Sequence, residues 1–441
     1  MIKTLLKAGQ EPNSQHSKFG RNLNILKTGF LTSVATLARL ISGFLVMKLV
    51  AVMAGPEGVA QFGQFMSLTA LLVVFAGGGV GSGVVKYLAQ YREQKKDVQV
   101  LLNCAFSFSL ISSLVMCISV LALSEQITHW LLGDIRYQSL IVVLAFVQFF
   151  VALNNLIIAI INGMMDVKRL AAIHVGGATI GILAPLLLGY YYQLYGVMLA
   201  FLLSQASLLA ISLTLFMKSD YFNWAYFKAT WNKPMMSRLA QYSLMTLTSA
   251  LLAPLMQILV RNILSERFSW EQVGYWQAVS KVSDAYLLFI TMAINIYYLP
   301  RLSAISQKSS FISEIKTAYI FLVPAVSILA LTIYELREII TKLLFSEAFL
   351  SGLYLYAPQL IGDVIKIASF ILSFIMLAKA MTKTFLFSEL FFSLTYVLWV
   401  YVLTDHFGLI GAMYAFILNY TLYLLFTAYV AKRYVGRLNN M

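Results

Sequence analysis

Long apolar runs alternate with short polar breaks along most of the chain, from about residue 29 to residue 430. Each run can cross roughly 30 Å of hydrocarbon as a helix, whose backbone groups pair within the segment. Strands of a membrane barrel would alternate over about ten residues instead. The pattern predicts twelve transmembrane helices, at residues 29–53, 59–84, 100–123, 139–163, 170–190, 196–217, 240–261, 274–299, 316–334, 354–378, 385–403 and 409–430.

The composition agrees with a membrane protein, because 60% of the 441 residues are hydrophobic and only 11% are charged. Soluble domains have roughly 45–50% apolar and 25% charged residues. We therefore predict an all-α integral membrane protein. Its expected domains are a polar cytoplasmic tail at residues 1–22 and two six-helix bundles, at residues 23–217 and 218–441.

Lysine and arginine are concentrated on one side of the predicted helices. The tails and every second connection hold 23 of them, and the opposite connections hold 4, or 5 with Arg261 at the predicted outer end of the seventh helix. Because retained positive charge marks the cytoplasmic side, both termini are predicted to be cytoplasmic. The net charge of +14 then faces the anionic headgroups of membrane lipids and requires no nucleic-acid partner.

Two pairs of segments indicate an internal repeat. Val59 to Phe75 aligns with Val273 to Phe289 at an offset of 214 residues, and both are aromatic-rich helix starts. Residues 161–167 align with residues 377–383 at nearly the same offset. Two six-helix units in the same orientation form a parallel repeat, and transporters build binding sites between such units.

Six charged residues fall well inside the predicted helices, where each costs about 2.5–3.5 kcal/mol on insertion scales. They therefore normally face a bundle interior or an aqueous cavity. The helical rise places Arg39, Asp284 and Lys366 near the bilayer midplane, where they are expected to line one cavity. The six residues are Arg39, Lys48, Lys281, Asp284, Asp363 and Lys366.

Spacing leaves two interpretations of these charges open. Lys281 with Asp284, and Asp363 with Lys366, are i,i+3 pairs that either neutralise each other locally or act separately. In the second case the lysines bind an anion and the aspartates exchange a proton or cation, with Asp363 the preferred coupling residue. Lys48 either snorkels at the outer end of its helix or joins Arg39 in the cavity through a bend at Gly43.

No motif in the sequence indicates an enzyme, a metal site or a cofactor. The run GGGVGSGVVK at residues 77–86 fits neither glycine-rich phosphate-binding pattern and is expected to serve close helix packing or a hinge. His174 is expected to be a packed polar residue, because no metal-ligand partners stand near it in the sequence.

Several segments resemble the Wzx-type flippases, the O-antigen and enterobacterial common antigen (lipid III) translocases of the multidrug/oligosaccharidyl-lipid/polysaccharide exporter superfamily. They are VGYWQAVSKVSDAYLLFI at 273–290, QLIGDVIKIASFILSF at 359–374 and KLVAVMAGPEGVA at 48–60. The resemblance implies two bundles around a cationic cavity, alternating access, and a substrate of undecaprenyl diphosphate bearing a short oligosaccharide. By motif match it implies that four cations bind the substrate: Arg39, Lys48, Lys281 and Lys366. It implies ion coupling for Asp284 and Asp363.

The expected function is therefore a flippase of the bacterial inner membrane, driven by protons or sodium ions, with a glycan polymerase and a chain-length regulator as candidate partners. A cation-coupled drug exporter should carry an acidic site in its N-terminal half, where this chain has Arg39 and Lys48 inside its spans. A membrane glycan polymerase or ligase needs a sizeable periplasmic loop, and the longest one predicted here is Glu335 to Gly352.

Overall fold

The computed structural model describes residues 14–91, 94–305 and 307–437, and all regular elements in these ranges are helical, as predicted. Short 3₁₀ helices lie at Ile135–Tyr137, Trp224–Phe227, Glu347–Leu355 and Gly408–Ile410, and a π-helical turn at Ile294–Tyr298. The α-helices are α1 Ser14–Ala76, α2 Gly81–Tyr91, α3 Lys95–Ala122, α4 Ser124–Leu132, α5 Gln138–Gly163, α6 Val167–Met217, α7 Lys233–Arg267, α8 Trp270–Ala293, α9 Leu299–Ala304, α10 Lys308–Glu335, α11 Arg337–Leu344, α12 Tyr356–Ala378, α13 Thr382–Phe407 and α14 Gly411–Arg437.

Eight helical segments of the described residues are long and apolar enough to cross a membrane. Such a set makes this a multi-pass membrane protein. Residues 14–22 of the predicted polar tail form the first part of α1, and residues 1–13 lie outside the described part. The eight segments are Thr36–Ala76, Lys95–Ala122, Ile135–Gly163, Val167–Met217, Trp270–Ala304, Lys308–Glu335, Glu347–Ala378 and Thr382–Arg437.

Two of the longest helices are interrupted where the sequence predicts connections. In α1 the break is at Gly55, whose φ of 63° and ψ of −161° are readily adopted only by glycine. Pro56 follows and starts the next helical stretch, a position that requires no backbone N–H. In α6 the chain leaves helical geometry at Tyr192 and Gln193. Both breaks fall between predicted spans.

The predicted C-terminal end of the second span, residues 59–84, is wrong. Helix α1 stops at Ala76, and a turn with positive φ at Gly78 and Gly79 leads into α2. A Cβ at Gly78 would lie 2.7 Å from the Phe108 ring, and one at Gly79 would lie 3.0 Å from the Ser243 carbonyl oxygen. The glycines thus permit close helix packing, as expected from the sequence.

The aromatic-rich segments of the predicted repeat pack against each other. Phe62 and Phe65 of α1 share a buried apolar cluster with Trp276 and Val279 of α8. The Pro56 carbonyl lies so close to Gly274 that no Cβ fits there. We call this contact the α1–α8 junction. It joins the first half of the chain, residues 14–217, to the second half, residues 218–437.

Candidate functional site

A cavity of about 550 Å³ lies between α1, α7, α8, α12, α13 and α14. The second half of the chain supplies most of its wall and, within the described residues, all of its charged side chains: Arg261, Lys281, Asp284, Lys366 and Glu389. The first half contributes four residues without charge: Gly63, Met66, Ser67 and Ala70. The wall therefore carries three cationic and two acidic side chains.

Lys281 and Asp284 form one of the two predicted i,i+3 pairs. The Lys281 Nζ lies 3.8 Å from the Asp284 Oδ2, one turn further along α8. The lysine side chain is 35% exposed and the aspartate side chain is 54% exposed. Because both also line the cavity, each can exchange its partner for a ligand. The structure thus keeps both interpretations of this pair open.

The other predicted pair is not formed. Lys366 and Asp363 make no ion pair within 4 Å, although they are three residues apart on α12. The Lys366 Nζ instead lies 5.8, 5.6 and 5.4 Å from the ring centroids of Phe370, Phe416 and Tyr420. Aromatic rings attract a cation through their quadrupole, so this ammonium is stabilised without a carboxylate.

Asp363 is 0% exposed and does not line the cavity. Its carboxylate accepts hydrogen bonds from Ser283 Oγ and Tyr286 OH, each at 2.7 Å, and from Gln359 Nε2 at 3.0 Å. Burying a carboxylate is costly unless donors replace the lost water, and these donors do so. The contacts tie α12 to α8 directly behind the cavity wall.

The sequence predicts Arg261 at the outer end of the seventh helix, and this prediction is wrong. Helix α7 continues to Arg267, so Arg261 lies within it and is 2% exposed. The guanidinium donates to Gln277 Oε1 at 2.8 Å, Ser67 Oγ at 2.9 Å, Gln257 Oε1 at 3.2 Å and Gln64 Oε1 at 3.3 Å. It therefore joins α7 and α8 to α1 through uncharged oxygens.

Glu389 is the second cavity residue that sequence reasoning missed. Glu389 falls near the start of the predicted helix at residues 385–403 and was not among the predicted cavity residues, but α13 begins at Thr382 and Glu389 lies two turns inside it. The acids that line the cavity are therefore Asp284 and Glu389, and not the predicted pair of Asp284 and Asp363. The glutamines inside the two aromatic-rich repeat segments could have indicated a buried polar partner such as Arg261, because a purely apolar junction does not need them.

The first-half cations, Arg39 and Lys48, lie outside the cavity wall, contrary to the expectation of one shared cavity. Lys48 Nζ donates to the carbonyl of Lys342 at 2.8 Å and to that of Phe345, at the end of α11. Lys48 lies about two turns before the break in α1 at Gly55. Arg39 is exposed on α1.

Sequence comparison identifies the family. The model described as "Polysaccharide biosynthesis protein" matches residues 58–353. The lipid III flippase of Escherichia coli (strain K12) is 31% identical over 408 residues, which cover 91% of this chain and 96% of the relative. The lipid III flippase of Shigella flexneri matches equally well. The chain belongs to the polysaccharide biosynthesis protein family. This membership confirms the resemblance noted in the sequence.

Solved structures show that the family member described here has the fold of a multidrug/oligosaccharidyl-lipid/polysaccharide (MOP) exporter. An inward-facing multidrug transporter of the MATE family superimposes with a TM-score of 0.76 at 15% identity, covering 92% of this chain and 96% of that one. The inward closed lipid II flippase MurJ gives 0.72 at 18% identity, covering 91% and 87%. An outward-facing MATE transporter gives 0.64 at 15% identity, covering 95% and 96%.

Proposed function

We propose that this protein is a flippase for oligosaccharides linked to undecaprenyl diphosphate, which it moves from the cytoplasmic to the periplasmic leaflet of the bacterial inner membrane. The observation that carries the proposal is the cavity with three cationic and two acidic side chains inside a transporter fold. The sequence relationship to lipid III flippases supplies the substrate class. The predicted glycan polymerase and chain-length regulator would act on the product.

The proposed topology has twelve spans, two six-helix bundles at residues 23–217 and 218–441, and cytoplasmic termini. Eight candidate segments become eleven when the breaks in α1 and α6 and the break at Gly408 are counted. Helix α7, with 35 residues, supplies the twelfth. Cysteines placed at Lys95 and Glu347 test this topology. Labelling from outside intact cells at Lys95, or its failure at Glu347, would contradict it.

Lys281 is proposed as the first contact of the diphosphate. Its ammonium reaches the cavity and, among the described residues, pairs with one carboxylate, that of Asp284 at 3.8 Å. Attraction between a lysine and a phosphate is far stronger in a cavity of low dielectric constant than in water. Lys366 adds positive charge, while Arg39 and Lys48 would contact substrate only in another conformation.

Asp284 is the better-supported coupling residue of the two predicted acids. When Lys281 turns toward a phosphate, Asp284 loses its cationic neighbour and becomes able to bind a proton or sodium ion. Asp363, preferred from the sequence, is sealed behind the wall by hydrogen bonds to Ser283, Tyr286 and Gln359. The proposed cycle therefore exchanges one cation for another beside Asp284.

The main alternative, a cation-coupled drug exporter, was expected to carry an acid in the first half. The first-half residues that line the cavity are uncharged, so the described first half has no acidic side chain in the cavity wall to bind a cationic drug.

Transport of a lipid-linked oligosaccharide by the purified chain in proteoliposomes tests the function. Lys281→Ala should abolish flipping and surface glycan display, because the diphosphate loses a cationic partner. Lys95→Ala removes an exposed cytoplasmic lysine and serves as the matched control. The proposal fails if the unaltered chain flips no lipid-linked glycan, or if Lys281→Ala flips it at the normal rate.

A further inference from the structure

The cavity wall formed by α12, α13 and α14 is a continuous aromatic surface. Ring centroids of Phe416 and Tyr420 are 4.7 Å apart, and those of Phe392 and Tyr423 are 4.9 Å apart. Tyr420 also contacts Tyr423 at 6.3 Å, which connects the two pairs. We name this surface the aromatic wall: Phe370, Phe392, Tyr396, Phe416, Tyr420 and Tyr423.

Two polar side chains of the aromatic wall region have unused hydrogen-bonding capacity. The Glu389 carboxylate makes no hydrogen bond or ion pair with any described residue, although it lines the cavity. The Asn419 amide oxygen accepts from Thr395 Oγ1 at 2.9 Å, but the amide nitrogen has no partner in the described part of the chain. Leaving such groups without partners is costly once water is excluded, so a ligand that pairs with them gains affinity.

A ligand for this wall must combine apolar faces with hydrogen-bond donors. Pyranose sugars meet both requirements, because their axial C–H groups form apolar patches and their hydroxyl and amide groups point outward. Aromatic rings present a negative face that attracts partially positive C–H groups. A polyprenyl chain would leave Glu389 and Asn419 unpaired, and a phosphate, which has no apolar face, would leave most of the rings uncovered.

We propose that the aromatic wall, with Glu389 and Asn419, is a binding subsite for one sugar residue of the transported glycan. A hydroxyl or amide N–H of the sugar donates to Glu389, and a sugar oxygen accepts from the Asn419 amide nitrogen. The inference rests on the proposed function. It divides the cavity into a diphosphate region at Lys281 and a glycan region at the aromatic wall.

Lys366 also lies at the aromatic wall. Its ammonium is 5.4–5.8 Å from the centroids of Phe370, Phe416 and Tyr420, and these rings stabilise its charge. Lys366 makes no ion pair within 4 Å with Glu389 or any other described acid. The Glu389 carboxylate is therefore left for a neutral donor from the ligand.

Binding to the purified full-length protein in lipid nanodiscs tests the subsite, using two probes that share the same lipid and diphosphate. One is undecaprenyl diphosphate without sugar, and the other carries the complete oligosaccharide of the parent strain. Tyr420→Leu and Glu389→Ala should each raise the Kd of the glycosylated probe by about tenfold or more and leave that of the bare probe unchanged, because only the sugar contacts are lost. Tyr420→Phe keeps the ring and should bind nearly as tightly as the unaltered chain.

Three results would overturn the subsite. One is equal affinity of the unaltered chain for both probes, and another is an equal loss for both probes in the aromatic wall variants. The third is normal glycan binding by Glu389→Ala together with a lost sodium or proton dependence, which would make Glu389 an ion site. Tyr429→Leu, which alters an exposed ring on α14, is the matched control. Failure of the proposed function is distinguished by Lys281→Ala, which should weaken both probes.

Discussion

The two halves of the chain contribute to the cavity in opposite ways. The second half supplies the five charged side chains and the aromatic wall, whereas the first half presents small or uncharged residues such as Gly63, Ser67 and Ala70. Both halves nevertheless contain the matched helix starts of the predicted repeat. Within the described residues, the charged and aromatic side chains of the cavity wall therefore all belong to the second half.

Arg261 forms hydrogen bonds between the two halves. Its guanidinium belongs to the second half and donates to Gln64 and Ser67 of the first half. All of its described hydrogen-bond acceptors are uncharged. Separating the α1–α8 junction therefore breaks charge-assisted hydrogen bonds, each worth about 1.5–3 kcal/mol, but no ion pair of Arg261 with a described residue.

Removing Arg261 should have the largest effect. In Arg261→Ala the oxygens of Gln64, Gln257 and Gln277 lose a donor, and each unsatisfied buried group costs about 1–3 kcal/mol. We expect a lower thermal unfolding midpoint in detergent and loss of transport. Arg136→Ala, at an exposed side chain, should leave both unchanged. An unchanged midpoint for Arg261→Ala would show that the hydrogen bonds of Arg261 do not hold the two halves together.

A methyl group at Gly274 should disrupt the α1–α8 junction itself. The Pro56 carbonyl leaves no space for a Cβ at Gly274, so Gly274→Ala must push α1 and α8 apart. Overpacking of this kind costs about 1–3 kcal/mol. Accessibility of an introduced cysteine at Trp276 should rise, and transport should fall.

Gly43→Ala is the matched control for that substitution, because nothing lies within 4 Å of a Cβ there. If Gly274→Ala leaves the accessibility at Trp276 unchanged, the junction does not keep the cavity closed on this side.

The two predicted coupling acids should separate into different phenotypes. Asp284→Asn removes a cavity charge and should remove the dependence of transport on an imposed ion gradient, with little change in the unfolding midpoint. Asp363→Asn turns one acceptor oxygen into a donor that faces Ser283, Tyr286 and Gln359. It should mainly lower the free energy of unfolding, by about 1–3 kcal/mol, and with it the unfolding midpoint. Gradient dependence lost only in Asp363→Asn would restore the preference drawn from the sequence.

The sequence predicted the all-helical membrane fold, the family, and Lys281, Asp284 and Lys366 as cavity residues. Apolar runs and inserted charges are strong signals, since lipid penalises both broken helices and unneeded charges. The sequence did not predict that Arg261 and Glu389 line the cavity. Predicted helix ends are uncertain by several residues, so an Arg or Glu near a predicted end resembles a loop residue. Nor did i,i+3 spacing show that Asp363 faces α8 while Lys366 faces aromatic rings, since partners on other helices decide this.

Arg39 should show the smallest effect among the predicted cavity cations. It is exposed on α1 and is not part of the cavity wall that Lys281 lines. If substrate contacts Arg39 only in passing, Arg39→Ala should slow flipping by severalfold, while Lys281→Ala abolishes it. Arg39→Lys keeps the charge but loses the planar fork that grips two phosphate oxygens, so it should recover only part of the rate. A comparison of initial rates in proteoliposomes with equal protein content measures both effects. Complete loss of flipping in Arg39→Ala, with normal folding, would show that the first half also holds the anionic head, and the asymmetry between the halves would then describe only one conformation.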